Sequence, residues 1–211
     1  MFDLPGHTAL KRLPFNLRIR VNLFRVLGVI FVPPVLFIRP HFDETALGGF
    51  LEQIGVLLII ACVLGRCWAM LYIGGNKNDT LVTTGPYSLC RNPLYVFSVM
   101  GVVGFGCMLQ SLIYTAVLTL ITSGILLQAA TKEEAYLADK FVEDYVAYRN
   151  STPRFMPVNF RSFQTEPVVN VNVRSLTRCF WDAAFFILAI PSLELVEWFH
   201  EINAIATFVL F

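Results

Sequence analysis

From Leu94 to Ala130 the chain contains no Asp, Glu, Lys or Arg. A membrane-crossing helix needs roughly 17 to 25 apolar residues, so this stretch is long enough for two. Its main polar interruption, Gln110-Ser111, falls near the middle. The sequence therefore predicts a helical hairpin, Leu94–Leu109 and Leu112–Ala130, closed by a very tight bend. Gly101, Gly104 and Gly106 on the first arm would let a neighbouring backbone come close, as small residues do between membrane helices. A water-soluble domain is excluded by supply. Charged residues make up 15% of the chain and apolar ones 56%, with 19 Phe, whereas soluble domains carry about 25% charge.

Further spans are expected at Phe50–Tyr72, with Glu52 and Arg66 snorkelling near its ends, and at Val21–Ile38, where Pro33-Pro34 would kink or end the helix. The apolar region Cys179–Phe211 is broken by Pro191, Glu194, Glu197 and His200. It fits either one span plus an interfacial helix or two short helices. If every proposed helix crosses, all of the 16 basic residues except Arg39 fall on one side, and the positive-inside rule makes that side cytoplasmic. The expectation is an all-α polytopic membrane protein of about five transmembrane helices, one domain over 1–211, with its N-terminus and polar loops cytoplasmic. The membrane would be the inner one in a bacterium or the endoplasmic reticulum in a eukaryote.

Two polar segments, Ile73–Pro93 and Thr131–Arg178, then share one face. The second opens with Leu137, Phe141, Tyr145 and Tyr148 at helical spacing, while Asp139, Lys140, Glu143 and Asp144 point away. This pattern predicts an amphipathic helix on the membrane or packed under the hairpin. The five cysteines show neither zinc spacing nor an even-numbered disulfide framework, so no metal is expected. Nor is a nucleic-acid partner. Cys90 stands apart because it lies inside a polar loop.

That loop, Leu81 to Tyr95, is dense in turn formers. Asn92-Pro93 reads as a helix start, with Asn as cap and Pro in the first turn. Arg91 then lies at the N-terminal end of a membrane helix, where free N–H groups favour anions. An ordinary loop with one snorkelling Arg explains the same residues. Because a hairpin returns to the side it left, Glu133 and Glu134 must come near Arg91. Adjacent carboxylates at a membrane helix end are costly unless paired or solvated. Either Lys132 and water satisfy them, or the three residues wall a polar pocket suited to a zwitterion.

These residues form a longer series: Leu81-Val82-Thr83-Thr84-Gly85-Pro86-Tyr87, Arg91-Asn92-Pro93-Leu94-Tyr95, Glu133-Glu134, Phe141 with Tyr145 and Tyr148, and Arg154-Phe155-Met156-Pro157. In order and spacing the series resembles the integral membrane methyltransferases related to isoprenylcysteine carboxyl methyltransferase and phosphatidylethanolamine N-methyltransferase. It covers about 50–157, a methyltransferase-like core, and leaves 158–211 as an unmatched C-terminal extension. One position departs: the family's usual Arg-His-Pro triplet has Asn92 in the place of His. An Asn side chain hydrogen-bonds but does not titrate near neutral pH, so no proton-transfer role carries over to it.

The resemblance implies S-adenosylmethionine as cofactor, held at the cytoplasmic mouth of the hairpin. Leu81, Val82 and Gly85 would line the adenine side through their main chains. Tyr87 and Tyr95 would pack on or bond the ligand beside Asn92 and Pro93. Glu133 and Glu134 would accept from the ribose or the ammonium group. Arg91 would bind a carboxylate of cofactor or substrate, and Glu134 would take a proton from an amine acceptor. The implied acceptor is a membrane-embedded lipid or lipidated molecule, either an isoprenyl-cysteine-like carboxylate or a phospholipid amine. Two other classes fit less well. A nicotinamide-dependent sterol or lipid reductase shares the architecture in outline but lacks here a Gly-x-Gly-x-x-Gly loop. A scaffold or transporter leaves Arg91 and the two glutamates unexplained.

Overall fold

The computed structural model describes residues 37–39, 46–74, 80–157, 159–201 and 208–209. The expected span Val21–Ile38 lies outside the described residues apart from its last two. The described chain forms helices α1 (Ala46–Ile73), α2 (Pro86–Leu89), α3 (Pro93–Met108), α4 (Leu112–Ser151) and α5 (Val173–Glu201), with a single 3-10 turn at Phe160–Ser162. Two short segments, β1 (Ile38–Arg39) and β2 (Phe208–Val209), pair in parallel with Ile38 opposite Phe208. Among the described residues the architecture is all-α apart from this two-residue pairing.

Helices α1, α4 and α5 are long and apolar enough to cross a membrane, and α3 is a shorter apolar helix. At 1.5 Å per residue the 16 residues of α3 rise about 24 Å, somewhat less than a hydrocarbon core of about 30 Å. Helix α4 is broken at Val142 (φ 27°, ψ −95°). The part before the break rises about 45 Å, so its last turns, beyond Thr131, extend past such a core.

Lipid supplies no hydrophobic drive between helices, so their contact depends on close packing. The main seam joins α1 to α3, and α5 packs chiefly against α1 while also touching α3. A Cβ built on Gly104 would meet the Gly55 carbonyl oxygen at 2.7 Å, and one on Gly101 would meet Cys62 Sγ at 2.6 Å. Gly106 lies against Thr115 of α4 in the same manner. All three glycines of the first hairpin arm thus permit backbone approach, as the sequence predicts. Ile59, Met108, Leu109, Tyr114, Leu118 and Leu193 fill the bundle core. Leu57, Leu64 and Leu120 remain exposed, as lipid-facing side chains would be.

The hairpin bends at Leu109-Gln110. Gln110 takes a positive φ of 52° and is buried, and Ser111 Oγ caps α4 by accepting from the Tyr114 N–H at 3.4 Å. The amphipathic segment from Leu137 is helical, as expected. Its first residues extend the second hairpin arm, and the break at Val142 (φ 27°, ψ −95°) starts a separate helix in which Tyr145 and Tyr148 are buried. Two expectations need correction. The apolar C-terminal region forms one continuous helix through Pro191 as far as Glu201. Proline is tolerated in membrane helices, although its missing N–H leaves the Ile187 carbonyl without its usual helical partner. Arg66 does not snorkel outward. Its guanidinium turns across to Ser98 Oγ on α3.

Candidate functional site

The site begins at the turn after α1. Gly85 has φ 63° and ψ −135°, a conformation that only glycine adopts freely, and any Cβ there would collide with the Tyr72 ring. This turn sets up α2 and buries Pro86, Tyr87 and Cys90. Leu81 and Val82 lie half-buried on its approach.

Asn92 occupies the N-cap position of α3, but its side chain does not cap. The helix N–H groups of Tyr95 and Val96 bond instead to the Asn92 carbonyl, at 3.1 and 3.2 Å. The freed amide, buried beside Pro93, donates to Glu134 Oε1 at 3.0 Å and to the Arg154 carbonyl at 3.2 Å. One turn along, the Tyr95 hydroxyl donates to Glu133 Oε2 at 2.7 Å. Both hairpin ends are therefore cross-linked through adjacent carboxylates of α4, as the fold-back requires.

Glu134 Oε1 gathers three groups. Besides Asn92 it accepts from Arg154 Nε at 3.2 Å and lies 3.8 Å from Arg91 Nη2. Arg154 is a site residue that sequence reasoning missed. It lies beyond the Val142 break, on the irregular segment that follows Thr152, and its Nη2 also donates to Thr131 Oγ1 at 2.6 Å. The signal was present in the Arg154-Phe155-Met156-Pro157 motif, whose arginine stacks over the Phe155 ring at 5.2 Å.

Arg91 is nine-tenths buried at its side chain. Its backbone N–H donates to the Pro153 carbonyl at 2.9 Å, while Nε and Nη1 are buried with no hydrogen-bond partner. The hydroxyls of Tyr87 and Tyr145 are buried in the same condition. Burial, then the Glu133 charge, holds the Tyr87 phenol well above its ordinary range. Burial, then Glu134, raises Tyr145, with Arg91 opposing. The Tyr148 phenol is raised chiefly by burial, and its hydroxyl donates to the Tyr87 carbonyl at 2.7 Å. These hydroxyls stay protonated at neutral pH and can act as donors. Cys90 is buried, and burial pushes its thiol up to about 11, so it offers little thiolate for chemistry.

The segment beyond Pro157, outside the family-like series, also meets this loop. The Gly85 N–H donates to the Gln164 carbonyl at 2.7 Å, and the Gln164 N–H donates to Ser88 Oγ at 3.0 Å. The Tyr72 and Thr165 hydroxyls hydrogen-bond at 2.8 Å. Among the described residues no group of three or more His, Cys, Asp or Glu is placed to hold a metal ion.

Residues 45–144 match the family described as phospholipid methyltransferase. The chain is 35% identical over 195 residues to the cobalt-zinc-cadmium resistance protein CzcN of Cupriavidus metallidurans, covering 92% of this chain and 89% of that one. It is 32% identical to the nickel-cobalt-cadmium resistance protein NccN of Alcaligenes xylosoxydans xylosoxydans, covering 93% and 91%. A shorter region, 39% of this chain and 35% of the relative, is 34% identical to protein-S-isoprenylcysteine O-methyltransferase of Schizosaccharomyces pombe. No solved structure matches.

Proposed function

Because the chain belongs to the integral membrane methyltransferase family that includes isoprenylcysteine and phospholipid methyltransferases, we propose that it moves a methyl group from S-adenosylmethionine to a membrane-embedded lipid or lipidated acceptor. The observation that carries this is the meeting of Arg91, Asn92 and Tyr95 with Glu133, Glu134 and Arg154 where the hairpin arms return.

The residues present suit that cofactor. Arg91 Nε and Nη1 are orphaned donors inside the protein, and a buried guanidinium with open donors favours a carboxylate. Glu133, bonded so far to a tyrosine, would accept from an ammonium group or a ribose hydroxyl. Tyr87 would offer its buried hydroxyl and ring face, and the main chain of Leu81, Val82 and Gly85 would border the adenine. Pro93 would hold the first turn of α3 beneath the ligand.

The cofactor, when bound, supplies an electrophilic methyl on a sulfonium. The chain then aligns the acceptor with it and excludes water, and orientation of this kind supplies much of the rate. Glu134, whose Oε1 is engaged by Asn92, Arg154 and Arg91, serves better to position the two arginines than to take a proton. A carboxylate acceptor needs no base. The orientation that fits is the one with the N-terminus and these loops in the cytoplasm, where the methyl donor is made. Any share in metal resistance, as the names of the two long relatives suggest, would pass through the methylated product.

Purified protein incubated with radiolabelled methyl donor and a membrane lipid extract tests the activity. Label moving into the organic phase is expected. Absence of labelled lipid, together with a thermal shift given by a nicotinamide cofactor and not by S-adenosylmethionine, would contradict it.

A further inference from the structure

A charged side chain inside a membrane helix marks a functional site unless something neutralises it. Arg66 lies within α1, in the apolar part of a 28-residue helix. No carboxylate among the described residues lies within ion-pair distance of it. One nitrogen donates to Ser98 Oγ, which itself donates to the Leu94 carbonyl at 2.7 Å. Nε is buried with no partner. The Arg66 carbonyl accepts from Cys179 Sγ at 3.7 Å, so the residue lies where α1, α3 and α5 meet.

Its position relative to the methyl-transfer cluster follows from helix geometry. Ser98 is three residues beyond Tyr95 on α3, about 4.5 Å deeper and roughly 60° round the helix. Ser98, which holds the guanidinium, is thus about one turn further along α3 than Tyr95 and its bond to Glu133.

We propose, resting on the methyltransferase reading above, that Arg66 and Ser98 form the subsite that recognises the oxyanion of the methyl acceptor, an amphiphile with one apolar tail and a carboxylate or phosphate head. Ser98 engages Nη1, and Nε, buried without a partner, is the donor left for such a group. Where the head is a carboxylate, its oxygen forms the new bond to the methyl carbon as the carbon–sulfur bond breaks, and the sulfonium leaves as a neutral thioether. Where it is a phosphate, Arg66 holds it while an adjoining amine, having lost its proton to water, forms the bond to the methyl carbon as the carbon–sulfur bond breaks and the neutral thioether leaves.

The test uses the full chain in a neutral detergent, with dodecanoate, dodecyl phosphate and dodecanol as probes in thermal-shift titrations. The two anions should raise the melting temperature and dodecanol should not. In Arg66→Gln their apparent affinity should fall roughly tenfold to a hundredfold, as for loss of a hydrogen bond to a charged group, and Arg66→Lys should retain part of it. The stronger of the two anions tells a carboxylate head from a phosphate one. Calorimetric binding of S-adenosylmethionine should be the same in wild type and both variants. Equal shifts from dodecanol, or unchanged anion affinity in Arg66→Gln, would overturn the subsite while leaving the methyltransferase reading standing. Loss of cofactor binding in both variants would also overturn it, by placing Arg66 in the cofactor site or the fold. No cofactor binding by wild type would instead remove the reading beneath it.

Discussion

The Asn92 amide donates to Glu134 Oε1 at 3.0 Å and, from the same nitrogen, to the Arg154 carbonyl at 3.2 Å. One uncharged side chain therefore ties the start of α3 to the α4 carboxylate and to the returning chain. Removing it by Asn92→Ala leaves buried acceptors unmatched, which costs about 1–3 kcal/mol. Asn92→Asp, which sets a second carboxylate against Glu134, should be worse, and Asn92→His, the residue usual in relatives, should be the mildest. Thermal melts of the three variants give the order.

Arg91 carries the buried, unsatisfied donors. Arg91→Gln should weaken S-adenosylmethionine binding about tenfold to a hundredfold, with Arg91→Lys between it and wild type because a lysine cannot reproduce the planar fork. Titration calorimetry on the purified variants measures both.

The Arg154–Glu134 contact, 3.2 Å between partly exposed side chains, should show a coupling of about 1 kcal/mol in a double-mutant cycle with Arg154→Ala and Glu134→Ala. Denaturation in detergent reads the four stabilities, and a coupling of zero would remove Arg154 from the cluster.

How much of this was legible before the structure depends on distance along the chain. The hairpin was readable because a charge-free run can only lie in lipid, and its bend because Gln110 and Ser111 are the polar break within it. The approach of Arg91 to Glu133 and Glu134 followed from that fold-back alone. Arg154 did not, because it reaches Glu134 only through the break at Val142, and a β-branched residue at positive φ has no sequence signal. Gln164 closes over Gly85 by main-chain bonds, which side-chain patterns do not encode. Arg66 was misplaced for a similar reason: a charge near a helix end is drawn outward by lipid, and only the tertiary position of Ser98 turns it in.

Cys90 sets a pH dependence. Burial pushes its thiol up from the ordinary 9.0 to about 11 in the folded protein, so the unfolded chain releases this proton first. The stabilisation is fully present below pH 9.0, shrinks as pH rises above it, and is gone once pH passes about 11. Maleimide should leave Cys90 unmodified in the folded protein at pH 7 and label it on unfolding, as peptide mass mapping would record.

The seam between α1 and α3 is set by glycine. Gly104→Ala drives a methyl group to 2.7 Å from the Gly55 carbonyl and should destabilise the bundle by about 1–3 kcal/mol. Gly124→Ala, at a glycine with open space around it, should not. Melting temperatures of the two variants separate these outcomes.

Calorimetric titration of S-adenosylmethionine into the purified protein in detergent bears most directly on the paired carboxylates and Arg91. Saturable binding in the micromolar range usual for enzyme ligands, lost in the Glu133→Ala/Glu134→Ala variant, is the expected result. No binding by the wild-type protein, or the same isotherm from the variant, would contradict it.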